Sequence, residues 1–414
     1  MLLSEANRLY LRRLIRWRTT RIVFFLLLMI NFLDILRIHN KIVHGDREHL
    51  LRSGRGAARP RERIYIASMH WNNAKVLKEY WNDAVIQLTE TFGADNVFVS
   101  VFESGSWDDS KEALRELDSE LEKRNVPRRV EVSDTTHYDE ISKAEKDRGE
   151  GWIDTARGKR ELRRIPYLAK LRNKTIQDLV ELSKKGITFD KVLFLNDVVF
   201  TVEDVLTLLD TNHGNYAAAC SLDFSKPPLY YDTFALRDIE GRAHNMQTWP
   251  YFEARDSRNA LVNHMAVPVT SCWNGIVVMP AEPFVSSTKL RFRAVPDSLA
   301  AHHLEGSECC LIHADNPLSK TKGVYLNPRV RVGYNYPAYV ATHPPANSWV
   351  SSWDIFTGLW VNRIRRWTLW SFDGWVVRSR VGRWEKEKSG NREPGEFCLI
   401  NEMQVLVENG WAHV

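Results

Sequence analysis

The chain has 414 residues, of which 44% are hydrophobic and 26% are charged. A chain of this size buries a sizeable core, which excludes disorder as its main state and fits one large domain or two fused half-domains. Its net charge of +5 is modest and lies largely in the first stretch of the chain. This distribution argues against nucleic acid as a partner.

The N-terminus combines a basic flank with an apolar run. Six arginines between residues 8 and 21 precede an apolar segment, residues 22–36, which is interrupted by Asn31 and Asp34. This order is typical of a signal-anchor whose N-terminus stays in the cytosol, although about 20 apolar residues are usual for a transmembrane helix. We therefore predict a basic cytosolic tail over 1–21 and a single-pass type II anchor. The rest of the chain would then lie in the lumen of the Golgi or another secretory compartment.

Two other interpretations of the apolar segment are a cleaved signal peptide and a buried or surface-bound amphipathic helix. No small-residue cleavage site follows residue 36, and a helix that is apolar all round is not amphipathic. Residues 37–63 lack apolar periodicity, which predicts a solvated stem. In a lumen Asn173 becomes a possible glycan acceptor, although it lies in a strongly helical stretch.

The cysteines bear on compartment and metal binding. The chain has five of them, Cys220, Cys272, Cys309, Cys310 and Cys398. They form no CxxC pair and have no regular histidine spacing, which argues against a zinc site. An oxidising lumen would allow one or two disulfides whose pairing the sequence does not specify. The odd count leaves at least one thiol free or paired with another chain.

From Ile64 onward, short apolar strands alternate with amphipathic helices, which predicts an α/β fold with a helix-covered parallel sheet. In chain order we predict strands at 64–67, 97–102, 130–132, 191–200, 217–222, 275–279 and 324–326, and helices at 76–88, 108–121, 166–184, 201–209 and from 307. Residues 134–158 are predicted to form a loop near the active face. The domain is expected to span 64–345.

The second half of the chain is less regular and richer in Trp, Tyr and Pro, which suits an acceptor-binding half built on loops. Residues 346–414 form an aromatic and basic C-terminal extension. We interpret it as a helix or strand pair packed on the domain, in preference to a membrane or nucleic-acid patch.

The most informative strand ends in Asn196 and Asp197. Ligands of open parallel sheets bind beyond the carboxyl ends of the strands, and a carboxylate there can hold a divalent cation against a diphosphate leaving group. Many transferases use Asp-x-Asp, whose alternating positions point two carboxylates the same way. Here only Asp197 is acidic, so a second metal ligand would come from elsewhere: Asp223, Asp232 and His313 are the candidates. The alternative role for Asp197 is a helix cap or turn residue.

Other residues are candidates for holding a nucleotide. They follow the first two strands or provide positive charge and amide groups: Ser68, His70, Asn72, Glu103, Ser104, Arg164, Arg172, Asn196 and Asp223. Arginine pairs bidentately with phosphates, and Arg160 and Arg163 belong to the same basic cluster. A charge run is also typical of a solvated helix face.

The acceptor side has its own candidates. Glu308 opens a helix and could orient or deprotonate an acceptor hydroxyl, although a capping-turn carboxylate is the default. Trp273 offers a face for stacking on a sugar, and Asn274 and Asp232 offer groups for hydroxyl recognition. A core tryptophan with a turn asparagine is the structural alternative.

An ordered set of motifs resembles a known family. The motifs are IYIASMHWNN at 64–73, VSVFESGSWD at 99–108, YLAKLRN at 167–173, FLNDV at 194–198, LYYDTFALRD at 229–238, CWNG at 272–275 and SEC at 307–309. In order and spacing the set is similar to the fungal cryptococcal mannosyltransferase family, the capsule-associated alpha-1,3-mannosyltransferases of glycosyltransferase family 69. The family's short acidic motif corresponds to Asn196 and Asp197.

The resemblance implies a GT-A-type fold, GDP-mannose as donor, Mn²⁺ or Mg²⁺ as cation, and an alpha-1,3 linkage formed with retention onto a glycan acceptor. Two alternatives stay open. The missing second carboxylate would also fit a non-catalytic lumenal carbohydrate-binding or scaffold subunit of a transferase complex, and the donor could be another nucleotide sugar.

Overall fold

The computed structural model describes residues 7, 9–10, 12–13, 17–53, 62–243, 246–345, 348–368 and 372–414. The strands are β1 (Ile64–His70), β2 (Val97–Ser104), β3 (Arg128–Ser133), β4 (Trp152–Asp154), β5 (Arg160–Leu162), β6 (Lys191–Leu195), β7 (Ala218–Lys226), β8 (Leu229–Tyr230), β9 (Arg237–Asp238), β10 (Val267–Ser271), β11 (Ile276–Pro280), β12 (Glu305–Gly306), β13 (Val324–Gly333), β14 (Leu399–Ile400), β15 (Gln404–Val407) and β16 (Gly410–His413).

The α-helices are α1 (Arg18–Ser53), α2 (Ala74–Val76), α3 (Asn82–Phe92), α4 (Ser110–Lys123), α5 (His137–Ile141), α6 (Arg164–Thr175), α7 (Gln177–Lys184), α8 (Val202–Leu209), α9 (Arg255–Val262), α10 (Glu282–Val285), α11 (Asp297–Ala300), α12 (Glu308–Asp315), α13 (Leu318–Lys322), α14 (Tyr336–Thr342), α15 (Ser352–Thr368) and α16 (Phe372–Glu387). A π-helical turn, Leu77–Trp81, joins α2 to α3.

A ten-stranded mixed sheet forms the centre, in the order β3-β2-β1-β6-β11-β7-β13-β10-β9 with β8 paired to β7. β1 runs parallel to β2 and β6, and β7 runs parallel to β13. β11 lies antiparallel between β6 and β7, so most strands still point the same way. This arrangement confirms the predicted α/β class with a mostly parallel sheet.

The two faces of the sheet carry separate cores because side chains alternate along each strand. On β1, Ile64 and Ile66 pack with Leu77 and Trp81 on one face. Tyr65 and Ala67 pack on the other face, in a core that includes residues of α7 and α10. Helices therefore cover both faces, as the continuous apolar strands predict.

The N-terminal helix is longer than expected. α1 runs unbroken from Arg18 to Ser53, so the prediction of a solvated stem over 37–63 is wrong as far as residue 53; residues 54–61 lie outside the described part. Ile38 and Ile42 explain the difference, because both are buried against the domain. One stretch of α1, Thr20–Asp46, is long and apolar enough to cross a membrane. It contains the predicted anchor, whereas the predicted tail over 1–21 falls partly on residues that are not described.

The C-terminal residues are built into the fold. β14 pairs with β12, and residue Val405 forms an isolated bridge with Arg163. The structure has two disulfides, Cys220–Cys272 and Cys310–Cys398, and leaves Cys309 as a buried free thiol. The second disulfide ties α12 to the residues that precede β14.

Candidate active site

Four carboxylates lie near one another: Asp197 just after β6, Asp223 within β7, Asp232 just after β8 and Glu308 at the start of α12. Asp197 and Asp232 are partly exposed, whereas Asp223 and Glu308 are buried. Burial, together with the negative charges of the three aspartates, raises the pKa of the Tyr334 hydroxyl well above its ordinary value. Because Asp197 and Asp232 are partly exposed, they are the two aspartates that can touch a substrate.

Asp197 faces the turn after β1, and the preceding residue, Asn196, is held by two hydrogen bonds to its backbone. The Asn196 amide donates to the Gly275 carbonyl at 2.9 Å, and the Trp81 indole donates to the Asn196 carbonyl at 3.0 Å. Burial raises the pKa of Asp197 above its ordinary value, although a hydrogen bond from Asn73 and the positive charge of Arg172 oppose the shift. The Asn73 contact places this carboxylate at the first strand-to-helix turn.

Asn274 holds Asp223 and Asp232 next to each other through two hydrogen bonds. Asp223 accepts hydrogen bonds from the Asp232 amide at 3.3 Å, from Asn274 at 3.2 Å and from the Tyr334 hydroxyl at 3.1 Å. Burial, followed by the charge of Asp232, raises the pKa of Asp223 to about 7. Burial also raises the pKa of Asp232. This pair favours the retention of one proton.

Arg172 joins Glu308 to the core. Its Nε donates to Glu308 Oε1 at 2.9 Å, and its guanidinium lies 4.9 Å from the centre of the Trp273 ring. The Cys309 thiol also donates to Glu308 Oε1, at 3.3 Å. Glu308 is thus buried and ion-paired, which suits fixing Arg172 more than deprotonating an acceptor.

Arg164 lies on the same side, half-buried between the site and the C-terminal hairpin. Its Nη1 donates to Gln404 Oε1 at 2.6 Å, and the guanidinium stacks 3.8 Å from the centre of the Trp411 ring. Burial lowers its pKa, whereas the charges of Glu308 and Asp232 raise it. The other two arginines of the cluster lie elsewhere: Arg163 is buried in ion pairs with Glu305 and Asp297, and Arg160 pairs with Asp154 at the surface.

Next to the first predicted nucleotide turn, Ser68 and His70 are held in place by buried contacts. Ser68 donates to the Leu195 carbonyl at 2.7 Å and contacts the His70 ring at 2.7 Å. Burial lowers the pKa of His70 to about 3, and its ring packs on Trp81. Ser68 and His70 are buried among these contacts, so the prediction that they contact the nucleotide directly is not supported. Asn72 is partly exposed and accepts from the Trp107 amide at 2.9 Å.

The second predicted nucleotide turn contains a buried carboxylate, Glu103. Glu103 Oε1 accepts from the Ser106 amide, whereas Oε2 has no hydrogen-bond partner among the described residues. Ser104 faces the Tyr167 hydroxyl at 3.5 Å. Aromatic rings lie beside this turn: Trp71 stacks on His137 at 4.3 Å, and Trp107 and Tyr167 contact these two rings edge-on.

Three residues predicted on the acceptor and metal side are buried: Trp273, Asn274 and His313. Trp273 is 1% exposed and packs on Phe194 and Phe292, so the prediction that it stacks on a sugar is wrong. Asn274 is fully buried and holds the aspartate pair, so it does not face an acceptor hydroxyl. His313 is buried and bonded to the Cys272 carbonyl at 2.7 Å, which removes it as a metal ligand.

A family model described as Cryptococcal mannosyltransferase 1 matches residues 63–315, more than half of the chain. The chain belongs to this family. No curated protein matches it. The family assignment makes it a glycosyltransferase, and the matched segment contains all four carboxylates of the site.

Several solved structures resemble the fold distantly. PcManGT, a mannosyltransferase from Pyrobaculum calidifontis in complex with GDP-Man and Mn2+, is 11% identical, with 88% of this chain and 89% of that chain covered and a TM-score of 0.36. GalNAc-T7 with UDP, GalNAc and Mn2+ is 13% identical, with 79% and 55% covered and a TM-score of 0.37. TarS of S. aureus is 10% identical, with 80% and 44% covered and a TM-score of 0.35.

The donor set of this glycosyltransferase site fits a cation that the substrate helps to bind. In the described ranges no three His, Cys, Asp or Glu side chains are grouped as a complete metal cage. Mg²⁺ in phosphate-transfer sites is commonly held by one or two carboxylates together with substrate phosphates and water. Asp197, partly exposed at the strand end, matches that pattern.

Residues that the sequence did not single out complete the site. Tyr334 follows β13 and donates to Asp223, and Tyr231, 52% exposed, lies 4.3 Å from the Tyr334 ring. The sequence could have indicated Tyr334 by its position, because it directly follows an apolar strand. The end of that strand lies beside β7.

Proposed function

We propose that the protein transfers mannose from GDP-mannose to a mannoside or other glycan acceptor with the help of Mn²⁺ or Mg²⁺, and that it forms an alpha-1,3 linkage with retention. Family membership over residues 63–315 carries the proposal. The convergence of carboxylates and arginines at the strand ends supports it, because a sugar-nucleotide donor needs both a cation ligand and positive charge at that edge.

In this proposal Asp197 is the protein ligand of the cation, and Asn196 sets its backbone. A cation bound there would neutralise the diphosphate that leaves. Arg172 and Arg164 contribute positive charge on the same side, and Glu308 keeps Arg172 in place through their ion pair. Glu308 therefore has a positioning role in the proposed mechanism.

Asp232 is the proposed acceptor-binding carboxylate. It is partly exposed, its pKa is raised by burial, and its backbone is fixed by Asn274 and Asp223. During transfer the bond from mannose C1 to the diphosphate oxygen breaks, a bond from C1 to the acceptor oxygen forms, and the acceptor hydroxyl loses its proton. A carboxylate with a raised pKa suits the binding and deprotonation of that hydroxyl.

The guanine base would lie at the turns after β1 and β2, near Asn72. Asn72 is partly exposed and accepts a hydrogen bond from the Trp107 amide at 2.9 Å. The Trp107 ring is 47% exposed and provides a stacking surface beside it.

The purified full-length chain, assayed with GDP-mannose, Mn²⁺ and mannoside acceptors, tests the proposal directly. We expect mannosyl transfer, with the anomeric configuration of the donor kept in the product when its linkage is assigned by NMR. Transfer only from a UDP-sugar would contradict the assigned donor. GDP binding by calorimetry, with and without Mn²⁺, separates an enzyme from the scaffold alternative, which predicts no cation-dependent binding.

We also propose that α1 anchors the protein as a type II membrane protein with its catalytic domain in a secretory lumen such as the Golgi. The two disulfides support an oxidising compartment. Protease treatment of intact microsomes should leave a C-terminal tag protected, and digestion of the tag would contradict the orientation.

A further inference from the structure

Helix α15 has two apolar sides. One side is buried in the domain through Ile355, Gly358 and Asn362. At Gly358 a Cβ atom would lie 1.8 Å from the Trp249 carbonyl oxygen, so the helix backbone sits directly on the core. The opposite side presents an outer stripe at helical spacing, which consists of Trp353, Thr357, Trp360, Val361, Ile364 and Trp367.

The outer stripe is strongly exposed. Trp353 is 69% exposed, Ile364 is 51% exposed and Trp367 is 72% exposed. Single exposed apolar residues are ordinary, but a continuous row of aromatic and branched side chains marks an interaction surface. Tryptophan is the residue most typical of the boundary between membrane and water.

The stripe lies beside the proposed anchor. α15 packs against α1, and the Arg363 Nη1 atom donates to the Asn31 Oδ1 atom at 3.1 Å. The N-terminal half of α1 is apolar and exposed from Ile22 to Leu33, whereas Ile38 and Ile42 are buried against the domain. Helix α1 therefore emerges from the domain next to α15.

The length of this exposed half limits where a membrane can lie. The 13 residues from Ile22 to Asp34 would span about 20 Å at the rise of an α-helix, which is less than the hydrocarbon core of about 30 Å. The docked half of α1 ends in an ion pair between Asp46 and Arg331, so the helix cannot slide out without breaking buried contacts. A bilayer that surrounds the exposed half must reach the surface of the domain.

We propose that the outer stripe of α15 lies in the interfacial layer of the membrane and that it holds the catalytic domain flat against the bilayer. Amphipathic helices with Trp on the apolar side bind in this way, with that side sunk into the boundary of headgroups and acyl chains. The proposal rests on the proposed anchor and adds a second, separate membrane contact.

Site-specific fluorescence on the full-length chain in phosphatidylcholine vesicles tests it. Four native cysteines are in disulfides and Cys309 is buried, so an introduced thiol takes a single environment-sensitive label. The variants are Ile364→Cys on the stripe, Phe25→Cys on the exposed half of α1, and Glu116→Cys on α4 at the far edge of the sheet. We expect the labels at 364 and 25 to be quenched by doxyl lipids, and the label at 116 only by iodide.

Three results would overturn the proposal, and they differ from one another. If iodide quenches the label at 364 as strongly as that at 116 while position 25 stays in lipid, the anchor holds and the stripe faces water. A label at 364 that is shielded from both quenchers would indicate a protein covering, such as a second copy of the chain. Iodide access at position 25 would remove the anchor itself.

Discussion

A single amide, Asn274 Nδ2, donates to both Asp223 Oδ1 at 3.2 Å and the Asp232 carbonyl oxygen at 2.9 Å. It thereby joins β7 to the loop that carries the proposed acceptor-binding carboxylate. Cys272, two residues earlier, is bonded to Cys220 of β7. The disulfide and the amide fix the same junction, which keeps Asp232 within reach of Asp223.

Replacing Asn274 with alanine should therefore destabilise the protein and impair transfer. The change leaves two buried oxygens short of a donor, at a cost of about 1–3 kcal/mol, and it frees the Asp232 loop. Denaturant unfolding and transfer kinetics measure the two effects. Asn401→Ala, at an exposed position, is the control, and an equal loss in both variants would contradict the assigned role.

The stability of the protein should depend on the protonation of Asp223. Its folded-state pKa is raised to about 7, above about 3.9 for an unfolded aspartate. The folded state therefore binds more protons, so this contribution is complete below pH 4 and is lost as the pH rises through 7. Asp223→Asn should flatten the fall in Tm between pH 5 and 8, whereas the exposed Asp210→Asn should keep the wild-type slope. If Tm falls with the same slope between pH 5 and 8 in the wild type and both variants, Asp223 does not titrate in this range.

Docking of α1 should depend on the ion pair of Asp46 with Arg331. Arg331 is 4% exposed and binds both oxygens of Asp46, at 3.0 and 3.1 Å. Asp46→Ala leaves a buried charge unpaired and should cost about 3–5 kcal/mol. In the double variant Asp46→Ala/Arg331→Met part of this loss should be recovered, because no charge remains buried, whereas the Thr342 and Pro328 carbonyls lose their donor. Thermal unfolding in detergent measures the series, and equal Tm values for wild type and Asp46→Ala would show that the pair is unimportant.

Much of the fold followed from local patterns. The strands at 64–70, 97–104 and 191–195 are mostly apolar, and Thr201 caps α8 with a capping box as its spacing suggests. The extent of α1 did not follow, because residues 37–53 have no apolar periodicity of their own. Their helix is stabilised by contacts with Arg331 and with Asn263, which follows α9; both lie far away in the sequence.

The site was predictable only in part, for a similar reason. Asp197 is visible because it ends an apolar strand. Whether Trp273 is exposed depends on Phe194 and Phe292, which only the folded chain brings around it. The pairing of Asp223 with Asp232 depends likewise on a turn and on the distant Asn274, and no local pattern reveals such an arrangement.

Mannosyl transfer by Asp197→Asn, compared with Asp210→Asn on the same full-length chain, decides whether Asp197 holds the catalytic cation. If Asp197 holds the cation against the departing diphosphate, its loss should lower kcat by about 100-fold or more and abolish the response to Mn²⁺, while Tm stays near the wild-type value. Asp210→Asn should transfer at the wild-type rate. Undiminished, Mn²⁺-dependent transfer by Asp197→Asn would show that Asp197 does not hold the cation.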